Sequence, residues 1–435
     1  MSTMVLMFLF FFLLLMAGVP MAWTTSAIGI IFALILWGPD SLNLIVLRIW
    51  DVMGSFSLIG IPLFVFMGNV LAHSGTTDKL LKAIYVWMGP IRGGLAVATV
   101  IMCMILAAIL GTVGADVTIT GIVALPFMLK YKYDKHLALG TIAAGGALGV
   151  LIPPSILFII YGVTVGESIG ALFIGGMGAG IVLGGLYLAY ILVRCYLQPE
   201  LGPLVPKEEG KVPISQKLIL LTGILPSMFL ILAVLGSIFF GLATPGEADG
   251  LGAAGALVCA AVSRRLNWET LKLSLFGTMK TVGMIMWVVF GAMVFIATFN
   301  LSGSASLLTN FVLSLELNRW VILIFIQFIL LCLGMVLDVA GIIVLCAPIF
   351  VPIIKSLGFD PIWFGVLFNV NLQLAYLSPP FGYSAFYLKA VAPKDCTLAD
   401  IYRGSFPFMV LQIVAIALFM LFPDIILILP RLMAK

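Results

Sequence analysis

Two stretches of this chain, 226 residues apart, carry the same prolines and the same acid. Pro126, Asp134, Pro153 and Pro154 in the first correspond to Pro352, Asp360, Pro379 and Pro380 in the second. A looser echo lies upstream, with His73-Ser74-Gly75 against Leu301-Ser302-Gly303. Four positions in one register are hard to produce by chance, so the chain reads as two copies of one structural unit. Each copy sets its Pro-Pro pair inside an apolar run, GALGVLIPPSILFIIY at 146–161 and QLAYLSPPFGYSAFY at 373–387. Consecutive prolines delete two amide donors, and the residue before a proline is pushed out of the α region. A plain kink would account for one such pair. Two pairs at equivalent places point instead to two broken helices, interrupted at 152–155 and 377–381. The half-helix before each break leaves carbonyls that suit a hard cation, and the one after it presents amides that suit a carboxylate.

The solvent for this unit is lipid. Of 435 residues, 63% are hydrophobic and only 9% charged, against about 25% charged in soluble domains. Stretches such as 4–23, 169–193, 218–240 and 284–299 are each apolar enough to enter roughly 30 Å of hydrocarbon. Gly, Leu, Ile and Met dominate without strand-like alternation, so the expected fold is an all-α polytopic membrane protein and not a barrel. No basic residue precedes the run that starts at Met4, which therefore reads as a retained first helix.

Assigning alternate loops to alternate faces leaves only Arg48, Arg319, Lys355, Arg431 and Lys435 on one side; the other basic residues, Lys79, Lys82, Lys130, Arg194, Lys207, Lys211, Lys217 and Arg403 among them, collect on the opposite side. The richer side is cytoplasmic by the positive-inside rule. The split works only if 94–129 and 320–354 each enter and leave on one side, as re-entrant hairpins that open toward opposite faces. The two copies are then inverted-topology repeats, an arrangement typical of secondary transporters. The expected organisation is N-terminal scaffold helices at 1–54; repeat 1 at 55–195, with hairpin 94–129 and broken helix 137–163; and a cytoplasmic loop at 196–217. Connecting helices follow at 218–279, then repeat 2 at 280–435, with hairpin 320–354, broken helix 362–392 and last helix 404–430.

Asp116 and Asp338 are the two acids deep in apolar sequence, one at each hairpin tip. A charge there costs roughly 2.5–3.5 kcal/mol on insertion scales and usually faces a polar cavity or a partner. Asp338 suits a cation site or an N-cap for the second arm of its hairpin; Asp116 suits a cation, a proton or a substrate contact. Thr244, Pro245 and Glu247 read as a capping box with proline at the first helical position. The six cysteines lack CxxC spacing and read as small core residues. His73 and His136 lie near helix ends, and neither belongs to an HExxH. Trp23, Trp37, Trp50, Trp320 and Trp363 suit interfacial belts.

With these residues in view, the chain resembles the large membrane subunit of tripartite ATP-independent periplasmic (TRAP) transporters, end to end. The stretches that carry the resemblance are GIPLFVFMGNVLAHSG at 60–75, AGGALGVLIPPSILFIIYG at 144–162, LATPGEA at 242–248 and 358–382. The run from Gln373 to Pro407 is similar to the mannitol/chloroaromatic-like branch, whose members are associated with small organic acids such as 2-oxo and 2-hydroxy acids. The resemblance implies an elevator-type, ion-transporter-like fold in a bacterial inner membrane and Na⁺-coupled import. It also implies a periplasmic binding protein that delivers a small organic anion (carboxylate, 2-oxo or 2-hydroxy acid, or sulfonate) and a small four-helix membrane subunit as partner.

By the family pattern, a first cation site takes Gly111, Thr112, Gly114, Asp116, Gly149, Pro153 and Ser155, and a second takes Leu337, Asp338, Gly341, Ser378, Pro379 and Gly382. Substrate would then meet Thr118, Pro154, Asn371, Gln373 and Pro380. Many relatives have a serine-rich first tip where this chain has Gly, Thr and Asp, so a proton could replace one Na⁺. No organic cofactor is implied. The rival readings are a channel without ion-coupled uptake and an intramembrane enzyme, which would need a nucleophile–base pair or metal cluster that the two histidines do not supply. No GxxxxGK[ST] is present for ATP hydrolysis through a P-loop.

Overall fold

The structure, a computed structural model, describes residues 2–75, 84, 87–88, 91–204 and 225–433. Lys79, Lys82, Lys207, Lys211, Lys217 and Lys435, and most of the expected loop 196–217, lie outside the described residues. All regular structure among the described residues is helical. In chain order these helices are α1 (Ser2–Met16), α2 (Met21–Trp37), α3 (Ser41–Met53), α4 (Gly60–His73), α5 (Gly94–Leu110), α6 (Val113–Lys130), α7 (Lys135–Ala147), α8 (Ile156–Val165), α9 (Ile169–Leu197) and α10 (Leu225–Phe239). They continue as α11 (Pro245–Val262), α12 (Trp268–Leu301), α13 (Ser304–Ser314), α14 (Arg319–Gly334), α15 (Val339–Ser356), α16 (Pro361–Leu377), α17 (Tyr383–Val391), α18 (Leu398–Leu421) and α19 (Asp424–Met433). Six helical segments, α9, α12 and α18 among them, are long and apolar enough to cross a bilayer unaided.

The repeat sets the packing. Hairpin α5–α6 and broken helix α7/α8 lead into long α9; hairpin α14–α15 and broken helix α16/α17 lead into long α18. Equivalent helices then exchange partners. The returning arm α6 packs on half-helix α17 of the other repeat, and α15 packs reciprocally on α8. Likewise α7 packs on α18, and α16 on α9. Outside this core, α12 packs along α2, α3 and α4, with α11 beside α4 and α10.

Ion pairs and loop contacts sort into two ends. At one end Gly93 N donates to Gly202 O at 3.0 Å, Asp134 N donates to Leu201 O at 3.0 Å, and Lys135 meets Asp400 at 2.7 Å. At the other, Lys355 pairs with Glu167 at 2.7 Å, Tyr161 donates its hydroxyl to Pro361 O at 3.0 Å, and Arg319 lies over the Phe359 ring. Helix α9 runs from beside Glu167 to just before Leu201, and its 29 residues rise about 43 Å. The two clusters are therefore a bilayer apart. Hairpin α5–α6 opens at the first end and α14–α15 at the second, so the repeats are inverted.

The shared Asp of the repeat is a helix cap in both copies. Asp134 accepts from Leu137 N at 2.8 Å to start α7, and Asp360 accepts from Ile362 N at 2.8 Å and Trp363 N at 3.0 Å to start α16. Thr244 and Glu247 form the expected capping box at α11, with Thr244 N donating to Glu247 at 2.8 Å. Helix α7 crosses α18 where both carry glycine: a Cβ on Gly140 would run into the carbonyl of Gly404. Both Pro-Pro bonds are cis, but the breaks differ in surroundings. Residues 148–155 are wholly buried, whereas Pro379, Pro380 and Phe381 are exposed.

Three readings need correction. The boundary at 279/280 falls inside the 34-residue α12, because no proline interrupts that run and its three glycines keep helical backbone. The last helix, expected at 404–430, starts at Leu398, whose cap Thr397 makes a capping box with Asp400, and ends at Leu421 before Pro423 and a separate α19. Trp363 belongs to no interfacial belt. It is buried, and its indole N–H donates to Phe419 O at 2.9 Å.

Candidate functional site

Each hairpin tip is made by a short non-helical turn. In the first, Gly111 closes α5 with φ +61° and Thr112 is extended before α6 starts. Glycine is required twice over at 111, by its left-handed φ and because a Cβ would stand 2.9 Å from Pro154 O. Across the contact, a Cβ on Gly149 would lie 3.3 Å from Asp116 Oδ2 and 3.4 Å from Thr112 O. Tip and break thus meet through Gly111, Thr112 and Asp116 on one side and Gly149 and Pro154 on the other. Ser155, buried, gives its hydroxyl to Val150 O at 2.6 Å.

Asp116 is fully buried in the first turn of α6. One carboxylate oxygen accepts from Thr120 Oγ at 3.4 Å; the other has no hydrogen-bond partner, and no ion pair among the described residues involves this acid. An unpaired buried carboxylate is costly to keep out of water.

The second tip differs in detail. Asp338 caps α15, accepting from Gly341 N at 3.4 Å, so the N-cap reading of this residue holds. Its side chain also lines a cavity. Ser378 turns its hydroxyl back to Leu374 O at 2.8 Å. Gly382 has φ +34° and starts α17 beside Tyr402 and Ser378 O. Gly341 faces Met21 of α2 instead of the second break.

Between the tips lies a cavity of about 260 Å³. Gly111, Thr112, Val113 and Gly114 reach it from tip 1, Val150, Ile156 and Leu157 from break 1, Asp338 and Ala340 from tip 2, and Tyr376, Tyr383 and Tyr387 from broken helix α16/α17. Helix α12 closes the wall with Thr281, Met284, Ile285 and Val288. The N-termini of α6, α8, α15 and α17 therefore converge on one small volume, and no Lys or Arg among the described residues lines it. Helix N-termini carry partial positive charge and free amides, and at α15 the Asp338 carboxylate already takes up one of them.

None of the five residues expected to meet substrate lines this cavity. Thr118 lies farther along α6; the Pro154 carbonyl faces Gly111; the Pro380 carbonyl accepts from Tyr402 OH at 3.1 Å. Asn371 donates to the backbone and side chain of Gln327, tying α16 to α14. Gln373 is buried with neither amide atom hydrogen-bonded. Only some of the positions near a break face the cavity, as Tyr376 does, because the helix turns about 100° per residue.

Comparison with known proteins decides the family. The model of the DctM component of the tripartite ATP-independent periplasmic transporters matches residues 8–425. The chain belongs to this family. It is a TRAP large permease, a multi-pass protein of the inner membrane. It is 30% identical over 403 residues to the large permease protein of the C4-dicarboxylate TRAP transporter of Pseudomonas aeruginosa, covering 92% of each chain. It is also 30% identical over 412 residues to the large permease protein of the 2,3-diketo-L-gulonate TRAP transporter of Escherichia coli, covering 94% of each. Among solved structures, the YdaH transporter of Alcanivorax borkumensis matches with TM-score 0.62 at 15% identity, over 99% of this chain and 98% of that one, a likeness of fold.

Sequence reasoning about the permease missed the three tyrosines and the four α12 residues of the cavity. The tyrosines had a signal: Tyr383 and Tyr387 lie one turn apart just after the second break and so share a face. A Cβ on Gly114 would meet the Tyr387 ring at 2.9 Å, so the tip seats directly on it. The α12 residues had none, since they come from a uniformly apolar run. Asp249, on α11 just past the capping box, is fully buried, with neither oxygen hydrogen-bonded among the described residues and Oδ2 facing Gly60.

Proposed function

We propose that this permease imports a small organic anion, handed to it by a periplasmic binding protein and driven by Na⁺, with a small membrane subunit bracing the α12 side. The observation that carries this reading is the cavity between the hairpin tips, ringed by four helix N-termini and lined by no basic side chain among the described residues. At about 260 Å³ it fits a molecule below the usual size of drug-like ligands. Carboxylate, 2-oxo acid and sulfonate groups match its amides and tyrosine hydroxyls. The names of the similar permeases, for a C4-dicarboxylate and a diketo acid, agree with that class.

Coupling follows from charge. An anion entering a site that already holds Asp338, with Asp116 behind it and no Lys or Arg at hand, needs added positive charge. Na⁺ at each tip would supply it, held at tip 1 by Asp116, Thr112 and the carbonyls of break 1, and at tip 2 by Asp338 with carbonyls near Ser378. Binding cargo and cation together and moving the hairpin core against α12 would give an elevator cycle. A proton on Asp116 is the alternative to the first Na⁺.

The test is uptake into proteoliposomes holding the permease with its small subunit and binding protein, using a panel of C4-dicarboxylates and 2-oxo acids. Saturable uptake of one member that needs the binding protein and stops when Na⁺ is replaced by K⁺ is the expected result. Uptake indifferent to Na⁺ but lost with the pH gradient would refute Na⁺ coupling. Uptake that does not saturate would refute the carrier reading in favour of a channel.

A further inference from the structure

A second cavity lies at the end of the molecule where Asp134 meets Leu201. It measures about 290 Å³ and is framed by α7, α9 and α18. Arg194 of α9 and Arg403 of α18 line it, with Asp134 and His136 at the start of α7 and an apolar wall of Tyr190, Pro407 and Phe408. Both arginines are exposed, and neither makes an ion pair or hydrogen bond among the described residues.

The acids nearby are engaged elsewhere. Asp134 Oδ1 caps α7, and its Oδ2 lies 3.8 Å from His136 Nδ1. Asp400 holds Lys135 at 2.7 Å and lies 3.4 Å from His136 Nε2. Two guanidinium forks with no ion pair among the described residues thus border one concave volume, with Asp134 as the single acid in its lining. A guanidinium presents planar, paired donors that match phosphate oxygens better than any other side chain.

The surroundings indicate where the phosphate comes from. Toward the bilayer from the two arginines, Val193 of α9 and Phe406 and Val410 of α18 are exposed and apolar, a surface suited to acyl chains. Basic pockets between transmembrane helices on the cytoplasmic side suit anionic lipid head groups, and the charge pattern assigns this end to the cytoplasm. We propose that Arg194 and Arg403 bind the phosphate of an anionic phospholipid at the cytoplasmic interface. The two arginines sit on equivalent long helices of the two repeats, so one head group would bridge both halves of the core.

The experiment uses the full-length permease, delipidated in mild detergent, with cardiolipin, phosphatidylethanolamine and inorganic phosphate as separate probes. Lipid retention is read by native mass spectrometry and stabilisation by thermal unfolding. Cardiolipin should bind and stabilise the wild type, and the Arg194→Gln/Arg403→Gln double variant should bind it about thirtyfold more weakly, the loss expected for two basic residues at a membrane surface. Arg264→Gln, at another exposed arginine, should bind as wild type. An Arg→Lys version of the double variant, which keeps charge without the fork, should fall between and shows that any loss is not misfolding. Stabilisation by inorganic phosphate alone, lost in the double variant, keeps the phosphate site and assigns it to a soluble anion. Equal cardiolipin affinity in wild type and double variant overturns the proposal.

Discussion

Asp116 and Asp338 look like twins in the sequence, and their surroundings separate them. Asp338 caps a helix and touches the cavity, whereas Asp116 is sealed behind the tip with one oxygen unpartnered. Asn caps a helix about as well as Asp, so replacing Asp338 by Asn isolates the charge. Asp338→Asn should insert and unfold like wild type yet lose most Na⁺-driven uptake, while Asp338→Ala should also lose about 1 kcal/mol of stability with the cap. Wild-type Na⁺ dependence in Asp338→Asn would remove this residue from the coupling site. Gly114→Ala sets a methyl against the Tyr387 ring, and it should raise the KM for uptake several-fold with normal expression; an unchanged KM would mean that tip and ring do not jointly shape the binding site. The acids were legible because charge is rare in apolar sequence. The tyrosines and Met284 were not, because nothing local marks which face of a helix will meet a cavity.

Among elements, the breaks and hairpins were readable, since paired prolines and a charge imbalance are local signals with global consequences. Helix ends were less so. Asp134 and Asp360 served as markers of the repeat, and the structure gives them a common job as caps of the two broken helices. Asp134→Ala and Asp360→Ala should each lower stability by about 1 kcal/mol, seen as a reduced thermal midpoint in detergent, and Asn at either site should restore it. No change in midpoint for the Ala variants would show that membrane packing alone starts these helices. The last helix, expected at 404–430, differs at both ends because the Thr397–Asp400 capping box starts it earlier and the chain breaks before Pro423; it runs through Pro407, as membrane helices tolerate proline where neighbouring groups re-satisfy the freed backbone.

For the whole molecule, inverted topology follows from two independent lines, the distribution of basic residues and the sorting of ion pairs to opposite ends of α9. If the hairpins open to opposite faces, two helix-terminus sites meet at mid-bilayer, and alternating access can proceed around them. If they open to one face, the tips cannot enclose a common cavity. The decisive measurement is labelling of single cysteines placed at Lys130 and Lys355, in a cysteine-free background, with a membrane-impermeant thiol reagent on intact cells and on inside-out vesicles. Lys130→Cys should label only in inside-out vesicles and Lys355→Cys only in intact cells. Labelling of both from the same side would contradict the inverted repeat, and with it the site between the tips.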